Sequence, residues 1–191
     1  QITTDASNKF SYSASAGALQ EDLGDWTYSA TAGVTIRASD RLSVDLDVRY
    51  KRRDGWIVYR GDRNFGSYHG PDLQPSLDLN WFIAPRHQLR VSLQWAGVRA
   101  EQQEFWEIPA GDGKLVPADP DSEQDFNVSI LTAQVRYRWE IAPLTDFYLV
   151  YNLGNNRPVD PDSGFSDLFK DAFDDPVVES FVAKLRYRFG T

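Results

Sequence analysis

The sequence predicts an all-β protein whose antiparallel strands form a transmembrane barrel in a bacterial outer membrane. Three observations lead to this prediction: apolar and polar residues alternate along eight segments, short and long connections alternate between them, and aromatic residues gather beside the short connections. Because successive side chains of a strand point to opposite faces, each segment has one apolar and one polar face. No helix of useful length competes with this pattern, so we expect one barrel unit over residues 1–191.

The first four predicted strands differ in the residues that alternate. The first alternates aromatic residues and alanines with serines, and the second alternates aromatic and aliphatic residues mainly with serines and threonines. The third alternates leucines and valines with charged residues, and the fourth alternates leucines and a tryptophan with serine, aspartate and asparagine. These strands are predicted near residues 8–19, 25–37, 42–52 and 76–84.

The last four predicted strands carry more charge on their polar parity. The fifth and sixth alternate leucine, valine and aromatic residues with arginine, serine, glutamine and threonine. The seventh is apolar on both parities and is the least clear, whereas the eighth has one aromatic parity and one basic parity. These strands are predicted near residues 88–99, 127–141, 146–153 and 178–189.

The connections between the predicted strands alternate in length. Short turns occupy residues 38–41, 84–87 and 142–145, and longer segments lie near residues 20–24, 52–75, 100–125 and 154–176. An even strand number with short turns at one rim and long loops at the other is typical of bacterial outer-membrane barrels. Both termini of this chain would then be periplasmic and the long loops extracellular.

A soluble β-sandwich or a lipocalin-like barrel is the alternative fold, because its strands also alternate. Two features count against it. Four bulky side chains from each of eight strands would overfill the interior of a barrel of that size. Aromatic residues also lie at strand ends beside the short turns, as in a girdle at a lipid–water boundary. The predicted girdle consists of Trp81, Trp139, Phe147, Tyr187 and Phe189.

Composition excludes several classes of protein. The net charge of −8 argues against nucleic-acid binding. The absence of cysteine excludes disulfides and thiol chemistry. The mean hydropathy is −0.48, and no run approaches the ~18 apolar residues of a membrane helix, although barrels give a much weaker hydropathy signal than helices. The sequence starts at Gln1 without a signal peptide, so we expect a processed chain or a fragment.

The polar parity, which would line the barrel interior, is rich in cations. Its predicted basic strip comprises Arg90, Arg136, Arg138, Lys184, Arg186 and Arg188, and further cations are Arg37, Arg49 and Lys51. Its predicted acidic residues are Asp45, Asp47, Asp78 and Glu140. Because charges removed from bulk water need partners or solvent, we expect a wide, wet lumen or an acidic plug or partner protein inside it. These strands would then be the last eight of a larger barrel; the alternative is a complete small barrel neutralised by water, lipid headgroups or loop carboxylates.

Three stretches carry a resemblance to a bacterial family. Residues 75–95 (PSLDLNWFIAPRHQLRVSLQW), 135–154 (VRYRWEIAPLTDFYLVYNLG) and 183–189 (AKLRYRF) resemble the C-terminal region of an uncharacterised family, whose members pair a type-nine carbohydrate-binding-module-like β-sandwich with an outer-membrane barrel. The resemblance implies location and architecture and transfers no catalytic residue. The terminal Phe189 is similar to the signal recognised by the barrel assembly machinery, although Gly190 and Thr191 follow it.

Little in the sequence points to catalysis or to a cofactor. Of the two histidines, only His69, with Asp62 or Asp72, could form a catalytic pair, so we expect no enzyme and no cofactor. Carboxylates of the acidic loops offer a weak calcium site, although the full calcium-loop spacing is missing. These carboxylates are Asp119, Asp121, Asp160 and Asp162. Residues 164–173 (GFSDLFKDAF) could form an amphipathic helix that covers the barrel mouth or binds a partner.

The function expected from the sequence is that of a membrane anchor or a porin-like conduit, in contact with outer-membrane lipid and lipopolysaccharide. The alternative is a small closed barrel that binds ligands or partners at the surface through its acidic extracellular loops.

Overall fold

A computed structural model describes residues 2–4, 8–111, 113–119, 124–174 and 176–187. Six residues named above lie outside this part of the chain: Gln1, Asp121, Arg188, Phe189, Gly190 and Thr191. The described residues form ten strands and one helix. They are β1 (Ile2–Thr3), β2 (Phe10–Gln20), β3 (Trp26–Ser39), β4 (Leu42–Gly61), β5 (Asn64–Ala84), β6 (His87–Glu107), β7 (Val116–Pro117), β8 (Phe126–Ala142), β9 (Thr145–Val159), α1 (Phe165–Asp174) and β10 (Val178–Arg186).

The strands form one antiparallel sheet in which chain neighbours pair. Its order is β1-β2-β3-β4-β5-β6-β8-β9-β10, with β7 attached to the far end of β6. The all-β prediction is therefore confirmed, and the eight predicted strands correspond to β2–β6 and β8–β10. In the part of the chain that the structure describes, β2 and β10 do not pair, so the sheet is open.

The short turns lie where the sequence predicts them, but one long connection does not exist as a loop. The turns are Asp40–Arg41, Pro85–Arg86 and Pro143–Leu144. Residues 52–75, predicted as a loop, instead continue β4 and β5 as a hairpin closed at Asp62–Arg63. Gly55 lies at an irregularity of the ladder: it has a φ of 69° and falls within a register shift in β4. Such bulges accommodate an extra residue without ending the strand.

The sheet curves so that its polar face is concave. A groove of about 440 Å³ is lined by Thr31 of β3, by residues of β4, β5 and β6, and by Thr132 of β8. Because β3 and β8 are separated by three strands, they share a groove only if the sheet bends toward it. We call this polar side the concave face and the apolar side the convex face.

The convex face carries an exposed apolar band. On β5 the band runs from Leu73 to Ile83, which is about 33 Å along the strand and, at a strand tilt near 40°, about 25 Å in height. Leu46 is 40 % exposed and Trp81 is 41 % exposed. Among the described residues, the buried hydrophobic side chains are Tyr68, Trp95, Ala100, Leu131, Leu168 and Ala172. The sheet therefore lacks the two-sided core of a sandwich.

Helix α1 covers one end of the convex face. Its apolar residues recur at helical spacing, and Leu168 and Ala172 bury against Trp95 and Leu131. The indole Nε1 of Trp95 donates to Ser129 Oγ at 2.9 Å, and that hydroxyl donates to the carbonyl oxygen of Leu168 at 2.9 Å. The sequence-predicted amphipathic helix is thus present. Within the described residues, no helix has the length and apolarity needed to cross a bilayer.

Candidate functional site

The described charges of the predicted interior all lie on the concave face, in rows that follow from the strand register. Residues directly opposite each other in a ladder share a face, so Arg90 pairs with Arg136, and Arg138 with Tyr148 and then Lys184. Asp45 pairs with Asp78. The structure therefore groups like charges side by side, an arrangement that parity alone did not reveal.

One cluster of opposite charges lies at the short-turn end of the concave face. Asp146 is 1 % exposed. Its carboxylate accepts from Nε of Arg138 at 2.8 Å and lies 3.4 Å from a guanidinium nitrogen of Arg186. Glu140 is at 4.0 Å from Arg138. Sequence reasoning missed Asp146, because residues 146–153 are apolar on both parities and gave no face assignment.

The cations Arg90 and Arg136 are oriented but not neutralised. With its amide oxygen turned toward Arg90, the buried Gln88 accepts from Nε and Nη2 at 3.0 and 3.1 Å. Arg136 donates from Nη2 to Oε1 of Gln134 at 3.0 Å. Among the described residues, neither arginine has a carboxylate oxygen within 4.0 Å. Gln88, Arg90, Arg136, Arg138 and Tyr148 together line a cavity of about 210 Å³.

The acidic residues Asp45, Asp47 and Asp78 lie farther from the short turns. Asp45 accepts from the hydroxyl of Thr35 at 2.6 Å. Asp45 and Asp78 line a second cavity, of about 310 Å³, together with Arg90 and Arg136. Asp47 lines the groove of about 440 Å³ with Arg49. The concave face is thus an open surface of mixed charge, with the acidic row next to the basic row.

Toward the long hairpins, the concave face is closed by an aromatic cluster. Tyr68 is fully buried, and its ring centroid lies 5.1 Å from that of Phe126 and 5.9 Å from that of Trp56. Arg60 stacks over Tyr68 at 4.8 Å and donates to the carbonyl oxygen of Gln124 at 2.7 Å. Arg53 pairs with the buried Asp72 at 3.3 Å. These contacts fix the ends of β4, β5 and β8 to one another.

The described girdle residues lie at the short-turn end of the convex face. Trp139 and Phe147 are direct cross-strand partners. His87, which had no predicted role, joins them: its ring is stacked 5.8 Å from that of Trp139, and its Nδ1 lies 2.5 Å from the hydroxyl oxygen of Tyr137. Trp81 and Tyr187 are exposed at the same end. The structure therefore brings together polar-tipped aromatic side chains next to the short turns.

Among the described residues, the catalytic and calcium candidates are not brought together; Asp121, one of the calcium candidates, lies outside them. Nε2 of His69 lies 3.2 Å from Glu101 and forms no ion pair with Asp62 or Asp72 in the described part of the chain. Both residues of the His69–Glu101 pair are substantially exposed. The described residues contain no group of three or more acidic or histidine side chains placed to hold a metal ion. Asp160 instead accepts from the backbone amide of Asp162 at 3.0 Å, in a local turn.

Comparison with known proteins gives a family but no characterised relative. No curated protein and no solved structure matches this chain. The family described as Domain of unknown function (DUF5916) matches residues 1–189, nearly the whole open sheet with its apolar band and charged concave face. The chain is therefore a member of the DUF5916 family.

Proposed function

We propose that this chain forms part of the wall of an outer-membrane β-barrel, acting as a membrane anchor or a conduit. The observation that carries the proposal is the apolar band on the convex face, where large hydrophobic side chains among the described residues are exposed outside the end covered by α1. Soluble monomers rarely expose an apolar patch larger than a few hundred Å². Hydrocarbon is the environment in which such a band is stable, and its height of about 25 Å matches that of outer-membrane barrels.

The open edges of the sheet support closure in the membrane. An unpaired strand edge leaves backbone N–H and C=O groups that hydrocarbon cannot satisfy, so a spanning sheet must close on itself. β2 starts and β10 ends at the rim of the short turns, as the strands of a barrel wall would. Further strands, added beyond β1 and β2 at one edge and beyond β10 at the other, would complete a wide barrel whose interior is the concave face. This arrangement is the one expected of a family that joins a β-sandwich to an outer-membrane barrel.

The alternative, a small closed barrel that binds partners through acidic loops, requires β2 to pair with β10. In the described residues the sheet order does not pair those strands, and part of the acidic segment 119–125 lies outside the described chain. We therefore propose the wall of a larger barrel. An acidic plug or partner in the lumen remains compatible with the cations of the concave face.

Site-specific quenching tests the membrane position. The chain has no cysteine, so single cysteines at Leu77, Asp78, Leu79 and Asn80 can each carry a fluorophore without background labelling. In liposomes containing spin-labelled lipid, we expect strong quenching at positions 77 and 79 and weak quenching at 78 and 80. The adjacent polar positions serve as matched controls on the same strand, and a soluble protein would show no lipid quenching at any of the four. Equal quenching at both parities would refute the assignment of faces.

A further inference from the structure

We propose that the concave face contains a discrete binding site for a small phosphate-type oxyanion between Arg90 and Arg136, completed by Arg138 and Tyr148. The proposal deepens the proposed function and rests on it in one respect: a solute in the lumen of a barrel would meet this surface. Parity predicted a continuous basic strip, and the proposed site is one local part of that strip. Its ligand is a free anion, because the concave face is turned away from the side that we assign to lipid.

The cross-strand pairing of Arg90 with Arg136 carries an electrostatic cost. Arg90 and Arg136 are direct cross-strand partners on one face, and like charges directly opposite each other destabilise a sheet. The other described arginines near this end, Arg138 and Arg186, share the buried Asp146. Arg90 and Arg136 have no such carboxylate among the described residues. A bound anion would offset the repulsion that the fold otherwise maintains.

Both guanidiniums are held in place by neutral groups. In the orientation that turns its amide oxygen toward Arg90, and not the one in which its Nε2 donates to Asn80, Gln88 accepts two hydrogen bonds from Arg90. Gln134 accepts one from Arg136. An amide fixes the orientation of a guanidinium without removing its charge, so donors remain for a ligand. The planar fork of arginine matches the oxygen spacing of phosphate. The pair is thus preorganised for an oxyanion.

A cavity beside the two arginines gives an anion the space to bind and access from solvent. The cavity of about 210 Å³ is lined by this pair together with Gln88, Arg138 and Tyr148. Both Arg90 and Arg136 are exposed to solvent. The hydroxyl of Tyr148 supplies one further donor. Clefts lined by one sign of charge concentrate ions of the opposite sign.

The neighbouring acidic row tunes the affinity of the site. Asp78 lines the adjoining cavity with Arg90 and Arg136, without forming an ion pair with either in the described chain. The negative charge of Asp78, on the wall of the adjoining cavity, repels an incoming anion. Removal of this charge by Asp78→Asn should therefore strengthen anion binding.

Titration of the detergent-refolded chain with inorganic phosphate, followed by calorimetry, tests the site. We expect saturable binding that Arg136→Gln weakens by about tenfold or more, as loss of a charge-assisted hydrogen bond predicts. Arg49→Gln is the matched control, because Arg49 is a cation of the same face that lines a different groove; it should leave the affinity unchanged. Absence of saturable binding to the folded wild-type chain, or equal weakening by both variants, would overturn the proposal.

A second variant covers the case in which Arg136→Gln does not fold. Arg136→Lys keeps the charge but loses the planar fork, so we expect it to fold and to bind phosphate several-fold more weakly while chloride competition becomes stronger. Unchanged phosphate affinity and selectivity in this variant would contradict the site. The titration is independent of the lipid-quenching experiment. Lipid quenching without phosphate binding would remove only this site, and phosphate binding without lipid quenching would remove only the membrane assignment.

Discussion

Two buried carboxylates anchor opposite ends of the concave face. Asp72 lies near the hairpin end and Asp146 near the short-turn end, and each is 1 % exposed. Each also accepts a hydrogen bond from an arginine, Arg53 in the first case and Arg138 in the second. Buried carboxylates are stable only when paired in this way. The two buried carboxylates therefore stabilise the architecture, whereas Arg90 and Arg136, which have no carboxylate oxygen within 4.0 Å among the described residues, form the centre of the proposed anion site.

Asp146→Asn should destabilise the folded chain. The substitution removes the negative charge shared by Arg138 and Arg186, whose side chains are 38 % and 61 % exposed. We expect the free energy of unfolding to fall by about 1–2 kcal/mol. This is less than for a fully buried pair, because solvent screens these arginines. The measurement is the urea midpoint of the detergent-folded protein. Asp78→Asn, which removes an exposed carboxylate without an ion pair in the described chain, is the control; an equal shift of both midpoints would contradict the role of Asp146.

The sequence was sufficient to assign charges to a face but not to pair them. Alternation placed Arg90, Arg136 and Arg138 on one face, because period-2 parity requires no knowledge of neighbouring strands. The partners depend on register, and a strand that is apolar on both parities, such as 146–153, has no pattern from which to infer it. Asp146 was therefore invisible as a lumen acid. The aromatic partner His87 was missed for a related reason, since a turn residue has no parity until β6 is seen to begin there.

At the scale of elements, α1 is held to the sheet by both ring packing and backbone capping. The ring of Phe169 lies edge-on to Trp95 at 5.3 Å. The side-chain amide of Asn155 donates to the carbonyl oxygen of Ala172 at 3.1 Å, which satisfies part of the last turn. Gly97 provides the space: a Cβ there would lie 2.4 Å from the Trp95 ring and 3.1 Å from Phe165. A glycine in this strand is thus explained by the close approach of the helix.

Gly97→Ala should loosen α1 from the sheet. The added methyl group displaces the Trp95 ring, and with it the surface on which Phe165 packs. We expect faster tryptic cleavage after Lys170, which lies within α1, while the sheet remains folded. Gly154→Ala is the control, because a Cβ there would meet its nearest neighbours at 3.6–3.7 Å, an ordinary contact. Identical cleavage rates in the two variants would show that Gly97 does not control helix docking.

The ends of strands could be predicted from the sequence wherever the turn was short. The prediction was wrong where a strand itself contained residues typical of turns. The prolines of the turns at 85 and 143 mark ends of strands, as they do in the structure. Gly55 and Gly70, by contrast, lie inside a continuous ladder with φ values of 69° and 148°. Local chemistry cannot distinguish a glycine in a bulge from one in a loop, because both need the same backbone freedom. The pairing of β4 with β5, and of β5 with β6, identifies both segments as strands.

At the scale of the whole molecule, a single curved sheet has one apolar face and one charged face. The apolar band on one side and the mixed charges on the other were both predictable, because a two-residue period needs no tertiary information. Closure of the sheet into a barrel was not predictable, because the number of strands in a barrel depends on curvature and shear rather than on composition. The structure accordingly gives an antiparallel sheet whose ends are open.

Arginine on the convex face should cost far more than arginine on the concave face. Leu46→Arg places a charge in the middle of the apolar band. We expect it to lower the stability of the folded protein in a lipid bilayer by about 2–4 kcal/mol. Thr132→Arg, which adds the same side chain at a similar depth on the concave face, should be nearly neutral. The yield of folded protein in outer membranes, followed by heat-dependent gel migration, measures both effects. Similar yields for the two variants would exclude a lipid-facing convex side.

The long hairpin of β4 and β5 has a consequence for what the outer rim can sense. From Tyr50, at the edge of the apolar band, to Gly61 at the tip, the strand advances about 36 Å, or about 28 Å in height after tilt. That height exceeds three Debye lengths of about 8 Å at physiological ionic strength. In the proposed orientation, the charge of the lipopolysaccharide would be screened at the hairpin tip but not at α1, which lies beside the band. Recognition at the tip would therefore be independent of the ionic composition of the membrane surface, whereas the position of α1 would respond to it.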